Sequence, residues 1–398
     1  MMRDTHGAMD EAFSFLNTVY LPDHFFGLVE SRMLRGELPA FSLISQNQFT
    51  ERAFSLAGYY AEQISIIMWR ALDFRKINNP IYFCILDDFN KPSAFATKLN
   101  KDVYCIFVST SIFVHISATA NIAMSYLPII DYFGFNRPPI VIEETDAARS
   151  DSFDDVRNKV ITNMQHSDAY WPFVWGSLLC MINHELGHII NGHLDFKSVY
   201  AGKIRLLDGK EAALLDKTLE FDADSFCTKQ FILHFQGQTP IPHHVEAVLG
   251  EPERLYAFCM ISLVTMFQFE DITGVELNDE ADAFLSHPPL RWRLFSCIET
   301  LHQCLAEVKG ADYDAALIPM KTGMQLSAGL LMNSGDRKLR TQTNSATLKA
   351  EVDMRMKRLN IYLSVWAAIR DQLSLLKLGS HKLAPAQQPP DCRFDFSR

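Results

Sequence analysis

Apolar residues recur at intervals of three and four along most of the chain, and two short runs break that rhythm. From Thr50 to Asp73 the spacing predicts a long helix. "NNPIYFCILDD" (78–88) reads as turn, strand and turn, and "DVYCIFVST" (102–110) as a second strand. Helical spacing returns over 111–183, interrupted by the loop "FNRPPIVIEETDAARSDSFDD", which is first Pro-rich and then acidic. Further helices are predicted from near Trp171 or Pro172, over Lys210 to His234, over Arg254 to Gln268 and over Ser345 to Leu378. "SHPPLRWRLFSCIETLHQCL" (286–305) starts another, with prolines at the first helical positions, where a missing N–H has no partner to lose.

The class this predicts is α+β, mainly helical with a small β-sheet. Residues 1–49 read as an N-terminal helical segment and 50–305 as the main domain, with an insertion at about 115–170. Residues 306–379 read as a C-terminal helical region. The end, "APAQQPPDCRFDFSR", is poor in aliphatic residues and rich in proline and glutamine, so 380–398 is expected to be a disordered tail.

Composition removes several classes of function. A net charge of −10 argues against nucleic acid as a partner. The eight cysteines stand singly in mostly apolar contexts without a C-x-x-C pair, as reduced thiols of a cytoplasmic protein do. The acidic start "MMRDTHGAMDEAF" does not resemble a secretory signal. Val103 to Ile130 carries no Asp, Glu, Lys or Arg, yet it opens as a strand and is studded with Ser, Thr and Asn. It reads as buried rather than membrane-spanning, and so does Leu255 to Phe269.

The chemistry lies in "CMINHELGHIINGHLDF" (180–196). On a helix His184 and His188, four apart, share a face and can reach one ion. Glu185 sits one step round, free to face water without being a ligand, which is the H-E-x-x-H arrangement of zinc hydrolases. A catalytic zinc takes three protein ligands and keeps one position open. The next helix offers "LEFDADSF", in which Glu220 and Asp224 share a face and Asp222 points elsewhere. One of that pair can ligate, and the other can accept a hydrogen bond from the free nitrogen of a ligating imidazole.

These residues resemble the gluzincin metallopeptidases of the HtpX-like and CAAX prenyl endopeptidase type, over roughly residues 50 to 305. "DDFNKPSAFA" (87–96) is similar to the family's Asn-Ala-Phe-Ala segment, with Ser93 in place of the asparagine. "VYCIFVSTSIF" (103–113) is similar to its edge strand and the following turn, "HELGH" and "EFDAD" to its metal site, and "SHPPLRWR" (286–293) to its His-Pro segment. The resemblance implies a zincin-like fold whose edge strand lines the active-site cleft, and one Zn²⁺ held by His184, His188 and Glu220. It also implies Asp224 as an outer partner and Glu185 as general base. His287 is expected in the cleft as an oxyanion donor, with Arg291 as the alternative. A protein or peptide substrate would lie along Val103, Cys105, Phe107 and Ser109 as an added strand.

Lit-type phage-exclusion peptidases, which also carry H-E-x-x-H, are a second resemblance, and they imply a triggered intracellular peptidase. A zinc-stabilised binding module without turnover is the rival from another class; such a module has no need of Glu185. The remaining histidines read as bland. His193 lies ~140° round the helix from His188, which implies a surface or outer-partner role. His243 and His244 read as exposed, and His115 and His234 as structural.

Overall fold

The computed structural model describes residues 18–45, 56–88, 93–135, 170–236, 252–267, 287–288, 290–309 and 345–396, with Val245, Thr322, Gly323, Gln325 and Leu326 besides. Two of its strands are the runs rich in β-branched and aromatic residues, β1 (Ile81–Leu86) and β3 (Tyr104–Ser109). The third, β2 (Ala94–Lys98), comes from "AFATK". The order is β1-β3-β2, with β1 parallel and β2 antiparallel to β3. This is the small mixed sheet of a mainly helical α+β chain.

That order corrects the edge-strand expectation. β3 is central and buried along its whole length. Ser109 N donates to Ser93 O and Leu99 N to Val103 O. An antiparallel ladder alternates, so Cys105 and Phe107 exchange their backbone bonds with Thr97 and Phe95 of β2. Val103, Cys105, Phe107 and Ser109 therefore have no backbone groups free for a substrate strand. The far side of β1 is covered too, because Leu21 N donates to Phe83 O and Ile44 N to Ile85 O. Among the described residues, open pairing capacity falls on β2. Its even-numbered residues turn their N–H and C=O away from β3, and the Lys98 carbonyl is already taken by Arg32 Nη1.

The helices stack beneath and beside this sheet. α1 (Phe26–Leu34) and α2 (Leu56–Arg75) precede it; α3 (Thr110–Ser125) and α4 (Leu127–Phe133) follow it. α5 (Tyr170–Ile190) is apolar all round and buried nearly throughout, as a helix at the centre of a core must be. It packs against α8 (Gly209–Gln236), α9 (Pro252–Phe267), α2, α3 and β2, while the short α6 (His193–Val199) and α7 (Ala201–Ile204) lead from α5 to α8. α10 (Leu290–Lys309) lies on α8, and α11 (Ser345–Leu376) on α6 and α8. None of the described helices is long and apolar enough to cross a membrane. Val103 to Ile130 resolves into β3, α3 and the start of α4. Most of the expected insertion lies outside the described residues.

The expectation of a disordered tail fails for residues 380–396. Leu383, Phe394 and Phe396 are buried in one apolar cluster with Phe196, Leu215, Leu219 and Trp366. Phe396 packs edge-on to Phe196, with ring centroids 4.9 Å apart. The Ala384 carbonyl accepts from Trp366 Nε1 and Arg370 Nε, and Asp391 N donates to Ser364 O. A few well-placed aromatic anchors outweigh a polar average composition.

Candidate metal centre

Small residues bring the two site helices together. A Cβ on Gly187 would stand 3.1 Å from Ala223 Cα and 3.3 Å from Phe226 Cβ, so the glycine of "HELGH" lets α8 lie directly against α5. One turn before Ala223, Glu220 then reaches the histidine face.

The three expected ligands converge. His184 Nε2 and His188 Nε2 are 3.2 Å apart, Glu220 Oε2 is 3.3 Å from His184 Nε2, and Glu220 Oε1 is 3.4 Å from His188 Nε2. Tetrahedral zinc with bonds of roughly 2.0–2.1 Å requires ligand–ligand edges of about 3.3 Å. The His184–His188 edge matches that length, as does the nearest carboxylate contact of each imidazole, made through different oxygens of Glu220; with one ligand atom from each residue, all three lie within 4.8 Å of one another. Glu220 Oε2 is buried and makes no well-aligned hydrogen bond among the described residues; its charged neighbours are His184 Nε2 at 3.3 Å and Arg293 Nη2 at 3.8 Å, and a buried carboxylate oxygen held this loosely is suited to a cation. These residues can hold a metal ion.

Charge is arranged to suit. Burial pushes Glu220 towards its neutral form, but the two imidazoles outweigh it and hold the carboxyl well below the ordinary value. Burial pulls the His184 pKa down; the hydrogen bonds it donates to Asp224 and Glu220 reverse this and raise it to about 10 in the metal-free protein. For His188 burial prevails and the pKa falls. Glu185 is buried, which raises its pKa; His184 and a hydrogen bond from the Ala96 backbone amide draw it partly back. The candidate base thus touches one of the outward-facing amides of β2.

Asp224 takes the expected outer position, with Oδ1 2.9 Å from His184 Nδ1. It is itself gripped by Arg293, whose Nε and Nη2 donate to its two oxygens at 2.9 and 2.7 Å. Burial opposes the Asp224 charge, but Arg293 and His184 prevail and its pKa is lowered. Arg293 was not legible from its own identity. A signal did exist in its stripe: Arg293, Ser296, Cys297 and Thr300 recur at helical spacing and turn to α8, where Thr300 donates to Ser225 at 3.0 Å.

His193 is fully buried, not at the surface, and lies against His188 and Asp222. An angle of ~140° from His188 holds for one continuous helix, but α5 ends at Ile190 and the backbone turns at Gly192, φ 83°. Burial pushes the His193 pKa down. His287 stands at the mouth of the site, with its side chain 55% exposed and Nε2 3.7 Å from Glu220 Oε1. The side chains of Arg291, His234, His243 and His244 lie outside the described ones. At the far end of β2, Lys98 pairs with Asp195 of α6, which also accepts from Tyr104 Oη at 2.6 Å. This pins the strand beside the site. No family model matches the chain, and neither a curated protein nor a solved structure matches it.

Proposed function

We propose that this chain is a zinc-dependent endopeptidase of the gluzincin kind, with a zincin-like fold, acting on extended segments of a protein substrate. The observation that carries the reading is the pairing of a His-His-Glu triangle with a neighbouring buried carboxyl that is not needed as a ligand. A site that only stabilises a fold has no use for Glu185. Two imidazoles and one carboxylate are a donor set of catalytic zinc, one ligand short of closure.

When bound, zinc supplies Lewis acidity towards water and towards a carbonyl oxygen. Glu185, lifted by burial, accepts the proton of the attacking water on its carboxylate and delivers it to the leaving amine nitrogen. His287 Nε2, at the mouth, donates to the oxygen on which negative charge develops. Asp224, held by Arg293, keeps His184 Nδ1 protonated and Nε2 free. The open edge of β2 takes the place first expected of β3. Ala94 presents an outward N–H and C=O and Ala96 an outward C=O, with which a peptide can pair as a fourth strand, the Ala96 N–H being engaged by Glu185.

The test is Glu185→Gln, which retains size but cannot take up the proton. Zinc content is expected to stay at the wild-type level while cleavage of an unfolded protein substrate falls by roughly 10²- to 10⁴-fold. Wild-type cleavage by this variant refutes the reading.

A further inference from the structure

The hydrogen bonds behind His188 run beyond its own helix. The turn at Gly192 folds His193 back, so that its Nδ1 lies 3.0 Å from His188 Nδ1 and its Nε2 lies 2.9 Å from Asp222 Oδ2. The same Asp222 oxygen accepts from Asn191 Nδ2 at 2.6 Å. Asn191 Oδ1 in turn is 3.0 Å from Nε2 of His381, in the C-terminal segment. Two further contacts tie that segment to the turn. A Cβ on Gly192 would meet the Leu376 carbonyl carbon at 2.8 Å, and Leu378 N donates to the Ile190 carbonyl at 2.8 Å.

Hydrogen-bond chemistry assigns the protons. A carboxylate only accepts, so the proton between Asp222 and His193 sits on His193 Nε2. In a neutral imidazole Nδ1 is then the acceptor, and the proton of the 3.0 Å contact belongs to His188 Nδ1. His188 Nε2 is left with a bare lone pair, facing Glu220 and His184.

We propose that His193 and Asp222 are positioning residues that fix His188 in the form able to ligate a metal through Nε2, and that the C-terminal segment completes this chain through His381 and Asn191. The inference rests on the metal-site reading above. It makes the two imidazoles separately supported, His184 by Asp224 and Arg293 and His188 by this second chain.

The experiment uses the full chain and reads Zn²⁺ affinity by chelator competition, together with the visible spectrum after Co²⁺ substitution. His193→Phe preserves ring shape but has no polar atom, and is expected to lose about 10- to 100-fold in Zn²⁺ affinity. His193→Gln can accept from His188 through its oxygen and donate to Asp222 through its nitrogen, and should recover most of the loss. A merely structural role gives the opposite ranking, because phenylalanine fills the buried space better. His381→Ala should weaken Zn²⁺ binding in the wild type and add little once His193→Phe has cut the chain.

Wild-type affinity and an unchanged cobalt spectrum in folded His193→Phe overturn this inference while leaving the metal centre intact. No metal uptake by the wild-type chain overturns the metal-site reading and this inference with it. A measurement on the wild type covers the case in which His193→Phe does not fold. Imidazole ¹⁵N shifts of the zinc-loaded protein should show His193 protonated at Nε2 and bare at Nδ1; a proton on His193 Nδ1 overturns the proposal.

Discussion

Replacing Arg293 by methionine should damage fold and site together. The guanidinium is fully buried and makes two charge-assisted bonds to Asp224, which is also fully buried. Methionine fills similar space but leaves that carboxylate with His184 as its remaining partner among the described residues. Removing one partner of a buried ion pair costs about 3–5 kcal/mol, because the charge left behind is not compensated. The assay is urea unfolding of the metal-free protein, comparing midpoints at an unchanged slope. The pH dependence has a definite sign. The Asp224 pKa is lowered in the folded state, so the pair's contribution is complete above the unfolded carboxyl value, about 3.9. It is lost as pH falls through the lower folded value. The gap between wild type and Arg293→Met should therefore be widest near neutrality and narrow in acid. Adding Asp224→Leu removes the stranded charge and should restore much of the stability, but not metal affinity, since His184 Nδ1 then lacks its acceptor. An unfolding free energy for Arg293→Met within about 0.5 kcal/mol of wild type, the ordinary effect of a surface change, refutes the reasoning.

Gly187→Ala places a methyl group 3.1 Å from the Ala223 backbone, so α5 and α8 must separate by a few tenths of an ångström. Stability should fall by about 1–3 kcal/mol with metal affinity falling too, and an unchanged unfolding midpoint contradicts this. Ala94→Pro removes an N–H that points away from the β2–β3 ladder and leaves the Ala96 amide on Glu185. KM for a peptide substrate should rise while zinc stays bound, and an unchanged KM rules out β2 as the docking edge. His184 has a pKa of about 10 in the metal-free protein, so it is protonated at pH 7.5 and must lose that proton to ligate. Calorimetric titration with Zn²⁺ in buffers of different ionisation enthalpy should therefore report proton release; an enthalpy independent of buffer says that none occurs.

What the sequence disclosed follows periodicity. His184, His188, Glu220 and Asp224 were legible because residues four apart on a helix share a face wherever that helix packs. The long helices were legible for the same reason, and the strand at 81–86 because its run of β-branched and aromatic residues between turns breaks that rhythm. β2 was not, because "AFATK" is short, lies among turn residues and mixes small with polar side chains, so only its neighbours make it a strand. The central position of β3 was hidden for that reason. Arg293 and Asp222 escaped because their partners, at positions 224 and 193, lie far away along the chain and meet them only in tertiary packing. Of the two roles open to His193, surface or outer partner, the structure has the second, because a single glycine ends the helix and folds it back on His188. In the tail, Phe394 and Phe396 decide the outcome against the composition around them.

The central claim is an open metal centre built from two imidazoles and one carboxylate. X-ray absorption at the zinc edge on the reconstituted full chain tests it most directly. The account predicts one zinc per chain with four light-atom neighbours at about 2.0–2.1 Å and imidazole scattering from two rings. It also predicts that Glu220→Ala abolishes this signal. Sulfur neighbours at about 2.3 Å, or the same spectrum from Glu220→Ala as from wild type, would contradict it.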